Sequence, residues 1–127
     1  MQGIRWTAKL EIDCREDVRS ILPPDIGLCL FRVLQEALHN AVKYSGVKRI
    51  EVQLREESGE IYLIIRDSGK GFDIEAAKQG RGLGLTSMQE RVRLVDGTIS
   101  IDSKPMGGTT IHVRVPIESE GSQRAAG

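Results

Sequence analysis

The sequence is poor in several features that mark particular classes of protein. Aromatic residues make up 4% of the chain and Trp6 is its only tryptophan, so a platform that stacks nucleic-acid bases is not expected. The two cysteines, Cys14 and Cys29, indicate neither a metal site nor a disulfide framework, which predicts reduced thiols. No apolar run is long enough to span a membrane and no signal-peptide pattern opens the chain, so we expect a cytoplasmic domain without direct membrane contact.

The chain also lacks an excess of either charge, since 18 Lys and Arg residues balance 18 Asp and Glu residues. No overall field therefore attracts nucleic acid or an anionic membrane, and any anion-binding site must be local. A length of 127 residues fits one domain with a core of its own. Because the composition turns polar and small after Pro116, we predict a folded domain over 1–117 and a disordered tail over 118–127.

Hydrophobic periodicity predicts the secondary structure. The predicted strands are 4–12, 50–54, 61–66, 98–102 and 110–115, and the predicted helices are 25–43 and 83–94. The denser apolar run at 61–66 indicates a central strand, and hairpin-like connections indicate antiparallel neighbours. With both helices gathered on one face, the pattern predicts an α+β fold, namely a two-layer sandwich with a mixed, mostly antiparallel sheet.

The first predicted helix carries a polar face as well as an apolar stripe. Glu36, Asn40 and Lys43 are spaced i, i+4 and i+7, so their side chains point within about 60° of one another. Carboxylate and carboxamide oxygens suit Mg²⁺, which prefers oxygen ligands, and the ammonium group can contact a phosphate. Taken alone, the same pattern also describes an ordinary solvated helix face.

Two glycine-rich segments follow later in the chain. Asp67 ends a buried strand just before Gly69 and Gly71, and its carboxylate could accept a hydrogen bond from an exocyclic amine such as N6 of adenine. Residues 80–85 lead into the second helix, whose free N–H groups and dipole favour a phosphate, although neither P-loop nor Rossmann spacing is present. Taken alone, the two segments also describe a turn and a flexible linker.

Together, and in this order, the three segments resemble the N-box, G1 box and G2 box of the GHKL superfamily of ATPases. The residues QEALHNAVK at 35–43 with Ser45, and GLGL at 82–85 followed by MQER at 88–91, are most similar to sensor histidine kinases of the branch that includes nitrate-responsive sensors. The resemblance extends over about 4–117 and is to the catalytic, ATP-binding domain of these kinases. It implies the α/β sandwich called the Bergerat fold, with ATP and Mg²⁺ as ligands.

The resemblance also implies roles for individual residues. Asn40 would ligate the Mg²⁺ that bridges the ATP phosphates, Glu36 would help to activate the phosphate acceptor or position water, and Lys43 would contact phosphate. Asp67 would bind the adenine amino group, and residues 72–81 would form a lid over ATP. The other implied cofactor-binding residues are Gly69, Gly71 and Thr109 near the adenine, and Gly82, Leu83, Gly84 and Leu85 near the phosphates.

A phosphate acceptor, by contrast, is not evident in this sequence. In such kinases it is a histidine on a dimerising helical hairpin, whereas His39 and His112 are the only histidines here and neither has an acceptor-like context. The sequence therefore predicts a phosphotransferase domain in two-component signal transduction. It would act on a histidine of a separate dimerisation domain of the same kinase, with a response regulator downstream, and would not phosphorylate itself alone.

Two departures and two alternatives remain. Tyr44 stands where a histidine or another polar residue is common in the family, and the lid is short. A stand-alone GHKL anti-sigma-factor serine kinase has a similar size, and a serine-bearing partner would identify it. A non-catalytic nucleotide-binding docking module is the other alternative, which binding of ATP without magnesium dependence would favour.

Overall fold

The computed structural model of the protein describes residues 2–5, 11–41, 49–67, 69 and 84–117, with side chains from residue 11 onward. These residues form six strands and two helices. In chain order they are β1 (Gln2–Arg5), β2 (Glu11–Asp17), α1 (Pro24–Asn40), β3 (Arg49–Glu57), β4 (Glu60–Asp67), α2 (Leu85–Leu94), β5 (Thr98–Ser103) and β6 (Thr109–Pro116).

The six strands form one sheet in the order β1-β2-β3-β4-β6-β5. Only β2 and β3 are paired in parallel, and every other neighbouring pair is antiparallel. Parallel strands need a crossover connection, and α1 lies in the connection between β2 and β3. The predicted mixed, mostly antiparallel sheet is therefore confirmed, and β4 has the central position that its apolar run indicated.

One face of the sheet carries the core. Along β4, Ile61, Leu63 and Ile65 are buried, while the alternating Tyr62 and Arg66 point to the opposite, more exposed face. The helices contribute the buried residues Ile26, Cys29, Leu30, Val33, Ala37, Leu38, Leu85, Met88 and Val92. The sheet and the helices thus form the two layers of the predicted α+β sandwich.

Local sequence explains where several elements begin and turn. Pro24 opens α1, where the missing N–H of proline has no partner to lose. Ser58 and Gly59 have φ angles of 53° and 77°, which is the backbone geometry of the two-residue hairpin turns that match strand twist. This turn joins β3 to β4 and fixes their register.

The prediction of a single strand over 4–12 is wrong. Ile4 and Ile12 lie opposite each other in the antiparallel β1–β2 pair, so they belong to two strands, and β2 continues to Asp17. The apolar–polar alternation is the same in both strands, and a period of two does not reveal where a chain reverses.

Other boundaries differ by one or two residues or lie outside the described ranges. The structure begins α1 one residue before the predicted start and α2 two residues after it. The predicted end of the first helix near residue 43, the lid at 72–81 and the tail at 118–127 lie outside the described residues. Within the part of the chain that is described, neither helix is long and apolar enough to cross a membrane.

Candidate functional site

Three polar residues lie side by side where β4, β6 and β5 meet. Asp67 is paired with Thr109 across the β4–β6 ladder, and Thr109 is paired with Ser103 across the β5–β6 ladder. Asp67 is an even number of residues from Ile65 and Leu63, so its side chain points to the same face as theirs, towards the helical layer. The sheet therefore brings two predicted site residues together at one end of the core face.

The Asp67 carboxylate is held in place by backbone groups. The Gly69 N–H donates to its Oδ1 at 2.9 Å, and the Thr109 backbone also hydrogen-bonds to this carboxylate. Burial raises the pKa of Asp67, and the two backbone hydrogen bonds oppose that shift. A partly desolvated, oriented carboxylate is a strong acceptor for a donor group that enters the site.

Beside it, Thr109 and Ser103 form a buried hydroxyl pair. Their side chains are 7% and 8% exposed, their hydroxyl oxygens lie 2.8 Å apart, and the Ser103 hydroxyl donates to the Gly108 carbonyl at 3.1 Å. Sequence reasoning missed Ser103. The register of the predicted terminal hairpin is the signal that could have placed it opposite Thr109, because cross-strand partners share a face.

The polar face of α1 meets the start of α2. A Cβ atom added to Gly84 would lie only 2.5 Å from Oε2 of Glu36, so the Glu36 side chain rests directly against the Gly84 backbone. One turn later on the same side of α1, Asn40 is 8% exposed. The structure thus brings Glu36 and Gly84 together, although they come from different motifs.

Glu36 lies beside the N-terminus of α2. Gly84 is the N-cap of α2 and supplies no side-chain cap, and α2 has no acidic residue in its first turn. A carboxylate near the positive end of a helix dipole is stabilised, so Glu36 of α1 supplies a negative charge that α2 does not provide. At the other end of this helix pair, the Cys29 thiol donates to the Arg91 carbonyl at 3.5 Å, which shows that the two helices run antiparallel.

The remaining predicted site residues divide into two groups. Leu85 is 3% exposed and belongs to the hydrophobic core, so it packs beneath the start of α2, and its contact with a nucleotide stays a prediction. The residues that lie outside the described ranges are Lys43, Tyr44, Gly71, Gly82 and Leu83.

The side-chain oxygens on α1 suit Mg²⁺ better than a metal ion whose ligands all come from the protein. Among the described residues there is no group of three or more His, Cys, Asp or Glu that could hold a metal ion. Mg²⁺ usually keeps several waters and takes one or two protein oxygens together with substrate phosphates. The buried carboxamide of Asn40, with Glu36 one turn away, fits that sparse kind of site.

Comparison with known proteins identifies a family and relatives for this chain. The family model described as "Histidine kinase-, DNA gyrase B-, and HSP90-like ATPase" matches residues 27–119. The signal transduction histidine-protein kinase/phosphatase DegS of Bacillus subtilis is 41% identical over 114 residues, which cover 86% of this chain and 29% of that protein. The DegS of Brevibacillus brevis is 39% identical over 98 residues, or 77% of this chain and 25% of that protein. The chain therefore spans less than a third of these relatives.

Solved structures show the same fold. A histidine kinase domain from a blue-light activated kinase of Erythrobacter litoralis superposes with a TM-score of 0.65 at 19% identity, covering 90% of this chain and 55% of that one. The ATP binding domain of PrrB from Mycobacterium tuberculosis superposes with a TM-score of 0.60 at 23% identity, covering 85% of this chain and 82% of that one.

Proposed function

The chain belongs to the family of histidine kinase-, DNA gyrase B- and HSP90-like ATPases, and we propose that it binds Mg–ATP and transfers the γ-phosphoryl group to a histidine of a separate dimerisation domain. The contact between Glu36 and Gly84 is the observation that carries this proposal. It joins the helix that bears the proposed magnesium ligand to the glycine-rich start of α2, where phosphate is favoured.

Phosphoryl transfer depends mainly on positioning and on neutralising charge. Asn40 would hold Mg²⁺, whose charge offsets that of the phosphates, and Lys43 would add an ammonium group on the same helix face. The backbone at Gly82 and Gly84 would contact the phosphates at the hinge of the lid. Glu36, held at the α2 N-terminus, would help to activate the incoming imidazole or position water.

The adenine would lie at the other group of site residues. The ionised Asp67 carboxylate can only accept hydrogen bonds, and an adenine amino group is a donor, whereas guanine has a carbonyl at the same position. Gly69 and Gly71 would leave room for the flat ring, with Thr109 beside it. Partial burial of Asp67 on the core face would reduce the competition of water for this contact.

The phosphate acceptor would come from outside this chain. His39 is exposed on α1, and His112 lies on the outer face of the sheet with its ring centroid 5.9 Å from that of Tyr62. The partner that fits is a histidine-bearing dimerisation domain of the same kinase, in the cytoplasm, with a response regulator downstream. The similarity to DegS, a histidine-protein kinase/phosphatase, supports this proposal.

Two measurements on the chain test the proposal. Calorimetric titration with ATP should show binding that is much tighter with Mg²⁺ than without it, and binding without magnesium dependence would favour a docking module instead. Incubation with radiolabelled ATP should leave no acid-labile phosphate on this chain alone, but should label an added acceptor domain of the same kinase. Acid-labile radiolabelled phosphate on the isolated chain would contradict the proposal that the phosphate acceptor lies on a separate domain.

A further inference from the structure

The buried hydroxyl pair beside Asp67 has its protons fixed by its surroundings. The Ser103 hydroxyl donates to the Gly108 carbonyl at 3.1 Å and its oxygen lies 2.8 Å from Oγ1 of Thr109. With Ser103 8% and Thr109 7% exposed, solvent hardly competes for either hydroxyl. The small network therefore decides which oxygen donates and which accepts.

A count of protons gives the direction of each bond. A hydroxyl group has one proton to donate, and a carbonyl oxygen can only accept. The Ser103 proton is directed at the Gly108 carbonyl. The 2.8 Å distance to Thr109 alone would allow either hydroxyl to donate, and the use of the Ser103 proton at Gly108 makes Thr109 the donor. With its own proton directed at Ser103, the Thr109 oxygen has only lone pairs left for a ligand.

The direction of the Thr109 hydrogen bond matters because Asp67, another acceptor, is the neighbour of Thr109. Asp67 is directly opposite in the β4–β6 pair, and such partners on one face have Cβ atoms about 4.5–5.5 Å apart. The ionised carboxylate is also an acceptor without a proton to give. A ligand group that enters between them therefore meets acceptors on both sides, which suits an amino group and repels a carbonyl oxygen.

We infer that Ser103 is a specificity-determining positioning residue, which makes Thr109 an acceptor and thereby selects a 6-aminopurine nucleotide over a 6-oxopurine nucleotide. The inference rests on the proposed function, because it assumes that Asp67 and Thr109 bind the purine. Ser103 acts through Thr109 and does not itself contact the base.

The test compares two nucleotides that differ at one edge of the base. ADP and inosine diphosphate, which carries a carbonyl where ADP has its amino group, are titrated into the wild-type chain and into Ser103→Ala. The wild-type chain should prefer ADP. In Ser103→Ala the Thr109 hydroxyl is free to rotate and donate to the carbonyl, so the preference should narrow by about fivefold to tenfold, the effect of one hydrogen bond.

Matched variants separate this effect from a loss of stability. Ser100→Ala removes a hydroxyl from the same strand at an exposed position and should keep the wild-type preference. In a Thr109→Val background, Ser103→Ala should no longer change the preference, because the oxygen through which it acts is gone. Ser103→Cys, which nearly keeps the side-chain volume, serves if the alanine variant does not fold, and should narrow the preference too.

The ratio of the two affinities is insensitive to a merely structural role, since partial unfolding lowers both affinities together. An unchanged ratio in Ser103→Ala and Ser103→Cys, with ADP still bound by the wild-type chain, would overturn the inference and leave the proposed function standing. Failure of the wild-type chain to bind ADP would overturn the proposed function itself.

Discussion

At the end of β4, the proposed role of Asp67 and its burial favour opposite protonation states. Its proposed role needs an ionised carboxylate close to the core, but burial raises its pKa because water no longer solvates the charge. The backbone hydrogen bonds from Gly69 and Thr109 recover only part of that cost. The ionised form that the proposed role requires is therefore disfavoured by the fold that presents it.

Asp67→Asn should abolish binding of ADP, and the melting temperature of the ligand-free variant relative to the wild-type chain should be higher at pH 7 than at pH 3. A carboxyl group with a raised folded-state pKa favours the folded state most below its unfolded-state pKa, and this contribution is lost as the pH rises through the raised value. The stability of the variant relative to the wild-type chain should therefore fall towards pH 3. Thermal unfolding at several pH values measures it, and undiminished ADP affinity would refute the adenine role.

Gly84 and Glu36 form the second pair in which a single residue decides the local geometry. Gly84 has a φ of +67°, and an added Cβ would meet Oε2, Cδ and Cγ of Glu36 at 2.5, 2.6 and 2.8 Å. A side chain here therefore faces two separate costs, one from the left-handed backbone and one from the carboxylate.

Gly84→Ala should lower the free energy of unfolding by more than about 2 kcal/mol in the wild-type chain. In a Glu36→Ala background the steric cost disappears and only the backbone cost of about 1–2 kcal/mol remains. Urea unfolding of the four proteins gives the coupling energy. Gly97→Ala is the control. Its Cβ would lie 2.7 Å from the Arg114 carbonyl oxygen, so its cost should be the same with and without the Glu36 side chain. Equal costs of Gly84→Ala in both backgrounds would exclude the contact between Glu36 and Gly84.

At the scale of elements, one side chain of β3 binds the connection between β2 and α1 through hydrogen bonds. Glu56 Oε1 accepts the backbone N–H groups of Arg19 and Ser20, each at 2.9 Å, and its Oε2 accepts the Ser20 hydroxyl at 2.7 Å. These hydrogen bonds, the Ser20 hydroxyl first, lower the pKa of Glu56. The carboxylate thus ties the crossover loop to the sheet.

Because the folded-state pKa of Glu56 is lowered, its contribution to stability is present above the unfolded-state pKa and is lost as the pH falls through the lowered value. The melting temperature of Glu56→Gln should therefore fall less between pH 7 and pH 3 than that of the wild-type chain. Glu57→Gln is the control on the same strand. The Glu57 carboxylate forms only a solvent-exposed ion pair with Arg55, which contributes little to stability, so this variant should follow the wild-type curve. Parallel curves of melting temperature against pH for the wild-type chain and Glu56→Gln would show that Glu56 does not hold this connection to the sheet.

Elements with a strong period were predictable, and features that depend on chain reversal or on cross-strand partners were not. Alternation identified β3 and β4, since one face of each packs against the helices. It merged β1 with part of β2, because Ile4 and Ile12 carry the same alternation on antiparallel strands. Ser103 and Glu56 escaped prediction because their partners, in β6 and in the β2–α1 connection, are set by register and packing.

At the scale of the whole molecule, the sheet is a row of three hairpins. β1–β2, β3–β4 and β5–β6 are antiparallel pairs of strands that follow one another in the chain. Two further pairings, β2–β3 and β4–β6, join them into one sheet. The one-sided apolar pattern made this architecture predictable as a class, but the order of the hairpins depends on long-range pairing that periodicity does not encode.

The register of the β4–β6 pairing has a consequence for the folding of the chain. Asp67 belongs to the middle hairpin, whereas Ser103 and Thr109 belong to the last one, and they meet only along this seam. Neither hairpin alone contains all of the acceptors proposed to face the purine. A nucleotide bound as proposed would therefore require the joined sheet, and its binding energy would stabilise this long-range pairing of strands, whose closure costs the most chain entropy.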